Sequence, residues 1–320
     1  MSSGSRLGIA AAPRPPRLKR KPSPESMSAA AVAGRCAALM RGGIPPGRVF
    51  ELLAAESPRD GPLGGIARGI GEGEQVAEAI AATDGPEWRV LAVAWHLAEQ
   101  SGAPLAAALE RIASALHAVA QVRERRSVLL AGPQATVRMV GALPPLTLVL
   151  GALLGFDPLP VLLSPAGAAL GVFGAALLAA GVLWAGAMTR AVTREDRVAG
   201  IELELVWIAL GGGAPPSAAC LRVVDCVDRL GAEWVAYDGF LRESLLRGTI
   251  ASAAAAGAPL QPLLVEEAAA ARAESQAALE RAAEKLGVRV LIPLGVCVLP
   301  SFIVLGVVPV LISMLSGSGL

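Results

Sequence analysis

The chain has 320 residues, 54% of them hydrophobic and only 17% charged, with a formal net charge of +1. A balance so near neutral provides no basic field for nucleic acid, and 3% aromatic content leaves few stacking platforms, so nucleic-acid binding is set aside. The apolar excess is gathered into long uncharged runs, which points to membrane segments rather than to an oversized soluble core.

Residues 1–28 carry Arg6, Arg14, Arg17, Lys19, Arg20 and Lys21 against Glu25, with five interspersed prolines at 13, 15, 16, 22 and 24. Such a tail cannot bury enough apolar surface to offset its chain entropy, and disorder is expected. It contains no apolar stretch of the kind a signal peptide needs, so membrane insertion is expected to rely on the chain's own spans.

From Ser28 the pattern turns helical, with no period-two run of β-branched residues in the polar parts. A first helix is predicted near Ala29 to Arg41, ended by Gly42-Gly43-Ile44-Pro45-Pro46. A second starts at Pro46, whose missing N–H costs nothing in a first turn, and reaches about Glu56. The Gly/Pro-rich stretch Ser57 to Gly73 reads as a loop with at most a short helix, and further helices fit Glu74 to Ala82 and Pro86 to Gln100. The longest polar helix is predicted from Pro104 to about Leu130, because Leu105, Leu109, Ile112, Leu116 and Val119 recur at steps of four and three. Its other face carries Glu110, Arg111, Arg123, Glu124 and Arg125, and the basic cluster near its C-terminal end suits the helix dipole.

Met139 to Thr189 has Asp157 as its sole formal charge, enough apolar length for two spans of roughly 20 residues each. Pro158 and Pro160 place the turn of this hairpin, since each removes a backbone donor and pushes its predecessor out of helical geometry. Arg138 and Arg190 stand at the two outer ends, with Arg123, Arg125, Arg126, Arg194 and Arg197 close by, whereas the turn carries no Lys or Arg. By the positive-inside rule both flanks are cytoplasmic and the turn faces out. A second polar helical stretch follows to Arg289. Beyond it the chain has no charge at all, and a third span is expected with Pro293, Pro300 and Pro309 inside it.

Two landmarks recur in the same order, the mark of an internal repeat. Gly42-Gly43-Ile44-Pro45-Pro46 returns as Gly212-Gly213-Ala214-Pro215-Pro216, and Gly102-Ala103-Pro104-Leu105 as Gly257-Ala258-Pro259-Leu260. At the second offset Pro145 also matches Pro300, and Val149-Leu150-Gly151 matches Val304-Leu305-Gly306. The first copy holds more residues between its landmarks, and the excess falls in the 57–73 region.

Chemistry-bearing patterns are sparse. His96 and His117 lack Cys or carboxylate neighbours at metal-ligand spacing, and Cys36, Cys220, Cys226 and Cys297 form no C-x-x-C pair. Gly69-Ile70-Gly71-Glu72-Gly73 is not preceded by a strand or followed by Gly-Lys-Ser/Thr, so a phosphate loop is not assigned. The spans have no ionisable residue in their interiors, where ion carriers place them. No cofactor or metal is expected, and an enzyme or ion-coupled transporter is disfavoured.

The resulting picture is an all-α, polytopic membrane protein: a basic tail (1–28), a first cytoplasmic helical bundle (29–138), a transmembrane hairpin (139–189), a second bundle (190–289) and a third transmembrane helix (290–316). With Glu99-Gln100-Ser101-Gly102, Leu105 and Leu109, Leu143-Pro144-Pro145, Gly155-Phe156-Asp157-Pro158, Ala256-Gly257, Leu260 and Leu299-Pro300 in this order, the chain resembles the type II secretion system F family. That family comprises inner-membrane platform proteins of type II secretion and type IV pili, together with the tight adherence B and C proteins. The first half resembles the B type and the second half the C type, although Ala254-Ala255-Ala256-Gly257 replaces the acidic Glu99-Gln100-Ser101-Gly102 pattern. The resemblance implies a multi-pass protein of the bacterial inner membrane with a cytoplasmic N-terminus. It also implies a homo-oligomer in the lipid bilayer that couples a cytoplasmic secretion ATPase to pilin-like proteins, beside other inner-membrane secretion subunits. Glu99, Gly102, Leu105, Gly257 and Leu260 become candidate partner-coupling residues. A non-energised permease or channel subunit is the alternative, and a polar stripe along a span would distinguish it.

Overall fold

A computed structural model of the chain describes residues 27–58, 61–153, 164–193, 199–241, 244–309 and 311–312. Among them there is no strand. Residues 1–26 of the basic tail and the Pro158–Pro160 turn lie outside the described residues.

The first helix, α1 (Ala29–Arg41), opens on the Ser28 side chain, which accepts the Ala31 N–H at 3.2 Å. It ends where Gly43 takes a φ of 90°. Pro46 heads α2 (Pro46–Ala55), and Pro62 heads α3 (Pro62–Gly71). The second of these lies in the stretch expected to be mainly loop: four glycines weaken its local preference, but burial of Leu63 and Ile66 holds it. Next come α4 (Val76–Ala81) and α5 (Pro86–Ser101), whose middle is buried on nearly every side.

A single helix of 49 residues, α6 (Leu105–Leu153), carries the chain out of the polar bundle and through the first apolar run. It does not stop near Leu130. Pro133, Pro144 and Pro145 sit inside it, and each removes one helical hydrogen bond at a cost of about 3 kcal/mol in water. In an apolar surround a broken helix would expose still more unpaired backbone, so the helix persists through them. The return span is α7 (Pro165–Thr193).

The second copy repeats the order with α8 (Ile201–Leu210), α9 (Pro216–Leu230), α10 (Leu245–Ala256) and α11 (Leu260–Arg289), and a short 3₁₀ turn, Tyr237–Phe240, stands in place of α3 and α4. The matched landmarks share conformation: Gly43 and Gly213 have φ of 90° and 79°, and Gly102 and Gly257 have φ of 70° and 62°. From α11 the helix runs on to Val307 as the third span. Along it π-helical turns, Leu294–Val298 and Ile303–Val307, each end two residues before a proline, Pro300 and Pro309. The wider turn takes the carbonyl four residues back out of the path of the proline ring.

The two copies do not fold as separate bundles side by side. One continuous hydrophobic core contains Val32, Phe50, Trp95, Leu109 and Ile112 of the first copy together with Leu203, Leu205, Val206, Ile208, Val223 and Leu264 of the second. At its middle lies α8, which packs on α5, α9 and α11. A smaller cluster joins the spans: Leu130, Leu286, Val290, Leu294 and Val298, flanked by Val137, Val140, Leu178 and Met188. There Gly174 and Gly181 let α7 approach the third span closely, since a Cβ at either would meet Leu305 at 2.6 Å or Cys297 at 2.8 Å.

Candidate functional site

Glu99, Gly102 and Leu105 form one corner, between α5 and α6. Its tightness comes from Gly102, whose left-handed conformation ends α5, and from Pro104, which cannot donate and so begins the next helix. Trp95, fully buried and tilted against Phe50 with ring centroids 5.4 Å apart, donates its indole N–H to Glu99 Oε1 at 2.7 Å. Glu99 itself is exposed, as are Gln100, Gly102 and Pro104, so the corner offers a polar rim anchored to an aromatic core. Leu105 packs inward on the shared core.

The same corner is a joint between the repeats. Ser101 Oγ donates to the Ile208 carbonyl at 3.2 Å, and the Ala103 N–H donates back to Ser101 Oγ at 3.3 Å. The facing glycines are required by proximity: a Cβ on Gly212 would lie 1.7 Å from the Ser101 carbonyl oxygen, and one on Gly211 would lie 2.6 Å from Ala103 Cβ. Gly257 and Leu260 occupy the equivalent corner of the second copy. There Leu260 also packs on the core, and Gln261 Nε2 donates to the Trp207 carbonyl at 3.4 Å. The reciprocal joint is not made: a Cβ on Gly42, the match of Gly212, would meet only the Leu39 and Ala38 backbone of its own helix. The two corners thus play different parts despite their common sequence.

A second constellation escaped sequence reasoning. Glu204, only 2% exposed in the first turn of α8, accepts from Arg111 Nε and Nη2 at 2.7 and 2.6 Å on one oxygen and from Arg272 Nη1 at 3.0 Å on the other. Arg111 also lies over the Trp207 ring, 4.8 Å from its centroid. This triad ties α8 to both α6 and α11, the two helices that continue into spans. The available signal was two carboxylates, Glu202 and Glu204, in the otherwise apolar stretch Ile201–Leu210, since a charge carried into a core must find cationic partners. Around the periphery, Arg89–Glu233 at 2.9 Å and Arg229–Glu78 at 2.7 Å cross between the copies.

Burial pushes the Cys36 thiol up to about 12 and the Cys226 thiol up to about 11, away from the reactive thiolate. Among the described residues no group of three or more His, Cys, Asp or Glu could hold a metal ion. His96, on the buried side of α5, has its pKa lowered by burial first and by Arg229 next.

Residues 33–152 match the family described as type II secretion system (T2SS), protein F. The matched segment runs from within α1 almost to the end of α6, so it takes in the first bundle, the Glu99–Leu105 corner and the first span. No curated protein matches the chain.

Proposed function

We propose, from the match of residues 33–152 to the family described as type II secretion system (T2SS), protein F, that this chain is the platform subunit of a tight-adherence-type pilus or type II secretion machine in the bacterial inner membrane. In this reading a cytoplasmic secretion ATPase engages the polar bundle, and the motion passes along α6 and α11 to spans that contact pilin-like proteins and other inner-membrane subunits. The observation that carries it is the continuity of the matched domain with a span. Because α6 is one helix from Leu105 to Leu153, a push on its polar end is delivered to the membrane without an intervening loop. A permease is not favoured, because three span hydroxyls among the described residues donate to backbone. Thr147 donates to the Leu143 carbonyl, Thr189 to Ala185 and Ser301 to Gly174, at 2.8, 3.0 and 2.8 Å.

Glu99 is the residue to test, since it is the exposed acid of the corner. With Glu99→Ala the protein is expected to reach the membrane at its usual level and keep its helical content. Export of the pilin or substrate, and cross-linking to the co-expressed ATPase, should fall at least tenfold. Normal export by a normally accumulated Glu99→Ala protein would restrict Glu99 to its bond with Trp95 and remove the corner from the coupling route.

A further inference from the structure

We infer that the cytoplasmic mouth of the three-span cluster is a binding collar for anionic phospholipid, formed by Arg138, Lys285 and Arg289 with Arg190 beside them. The helices stack these cations over about two to three turns at the inner membrane level: with Arg125 paired to Glu280 and Gly306 facing Thr147, Arg138 stands beside residues 293–297 of the third span, deeper than Lys285 and Arg289. Val137 and Val140 of α6, Leu286 and Val290 at the α11 end, and Met188 of α7 all pack into the one cluster that joins the spans. Their sequence neighbours Arg138, Arg289 and Arg190 are exposed around its outside.

Two further observations select a lipid rather than a soluble ligand. Away from this level the long helices neutralise their own cations, as Arg125 does with Glu280 at 3.1 Å and Arg281 with Glu274. Arg138, Lys285 and Arg289 form no ion pair, and beyond Glu284 none of the three spanning helices carries an acidic side chain within the described residues. The cations also alternate with outward apolar groups: Met139 is 73% exposed and Val288 is 70% exposed. A surface that sets unneutralised guanidinium and ammonium groups against bare hydrocarbon fits a molecule with a phosphate head and an acyl tail. The inference needs the three spans only and is independent of the platform reading.

The full-length protein is extracted from nanodiscs of phosphatidylcholine doped with phosphatidylglycerol, and the lipids it retains are counted by native mass spectrometry. Each basic residue near an anionic surface is worth about fivefold in preference. Wild type should therefore enrich phosphatidylglycerol, and Arg138→Gln/Lys285→Gln/Arg289→Gln should lower that enrichment by at least tenfold. Arg48→Gln/Arg68→Gln, which removes exposed charge from the distant bundle, should leave it unchanged. Arg138→Lys/Arg289→Lys should keep it, and Arg289→Gln alone should reduce it about fivefold if the triple variant does not insert. Inorganic phosphate at the same concentration should not compete. Equal retention of the two lipids by wild type, undiminished enrichment in the glutamine variants, or displacement by free phosphate would each overturn the collar.

Discussion

Glu204 shows how a single residue can decide the packing of this molecule. Its neighbours Leu203, Leu205, Val206 and Ile208 are all buried, and the carboxylate is carried into the core with them. Two arginines from other helices must then follow it inside, with their side chains only 21% and 19% exposed. Removing one member of such a triad strands the others in a poorly solvated place, which costs about 3 to 5 kcal/mol, whereas exchanging all of it for well-packed apolar groups is often neutral or stabilising. Glu204→Ala is therefore expected to lower the unfolding midpoint of the purified protein by the equivalent of about 3 to 5 kcal/mol. Arg111→Met/Glu204→Leu/Arg272→Met should unfold within about 1 kcal/mol of wild type or later. Circular dichroism against denaturant checks both, and equal losses in the two variants would show that the charges themselves hold the core.

At the scale of the helix, the turn between α8 and α9 separates two uses of glycine. Gly213 has a φ of 79° and open space around its Cβ position, so Gly213→Ala meets backbone strain alone, about 1 kcal/mol. Gly212 is needed for contact, because its Cβ would collide with the Ser101 carbonyl of the other copy. Gly212→Ala is accordingly expected to undock the corner: Ser101 and Ile208 should separate, and limited proteolysis should cut near 211–215 several-fold faster than in Gly213→Ala. Similar cleavage of the two variants would show that the joint yields at no cost. Sequence reading found both landmarks, since a Gly-Gly-x-Pro-Pro repeat is a local signal, but it could not tell a strained glycine from a crowded one, because crowding depends on a distant segment. The same division runs through the helices. The limits of α1 were legible in Ser28 and Gly42, while α3 was hidden by its glycines and the unbroken course of α6 by its prolines. In each of these the tertiary or membrane surround outweighed local preference.

Taken as a whole, the chain is two diverged copies closed on one core, with three spans emerging from it, and only part of that was readable in advance. Apolar length and the absence of charge announced the spans. The union of the copies was not announced, because residues such as Trp95 and Leu205 carry the same apolar signal whichever partner they meet. Orientation follows from charge. Arg138, Arg190 and Arg289 stand in sequence where the polar copies give way to the apolar runs, and the sequence beyond Arg289 has no Lys, Arg, Asp or Glu to draw the other end inward. Both polar copies share one core, and we predict that they lie inside, with the 157–164 turn and the C-terminus outside. With the native thiols replaced by alanine, Pro160→Cys and Ser318→Cys should react with an impermeant maleimide added to intact cells. Tyr237→Cys, at a site 52% exposed on the polar body, should react only after lysis. The lysis step separates a hidden site from an unreactive one. Labelling of Tyr237→Cys in intact cells would invert the molecule and place the surface offered to the ATPase on the wrong face of the membrane.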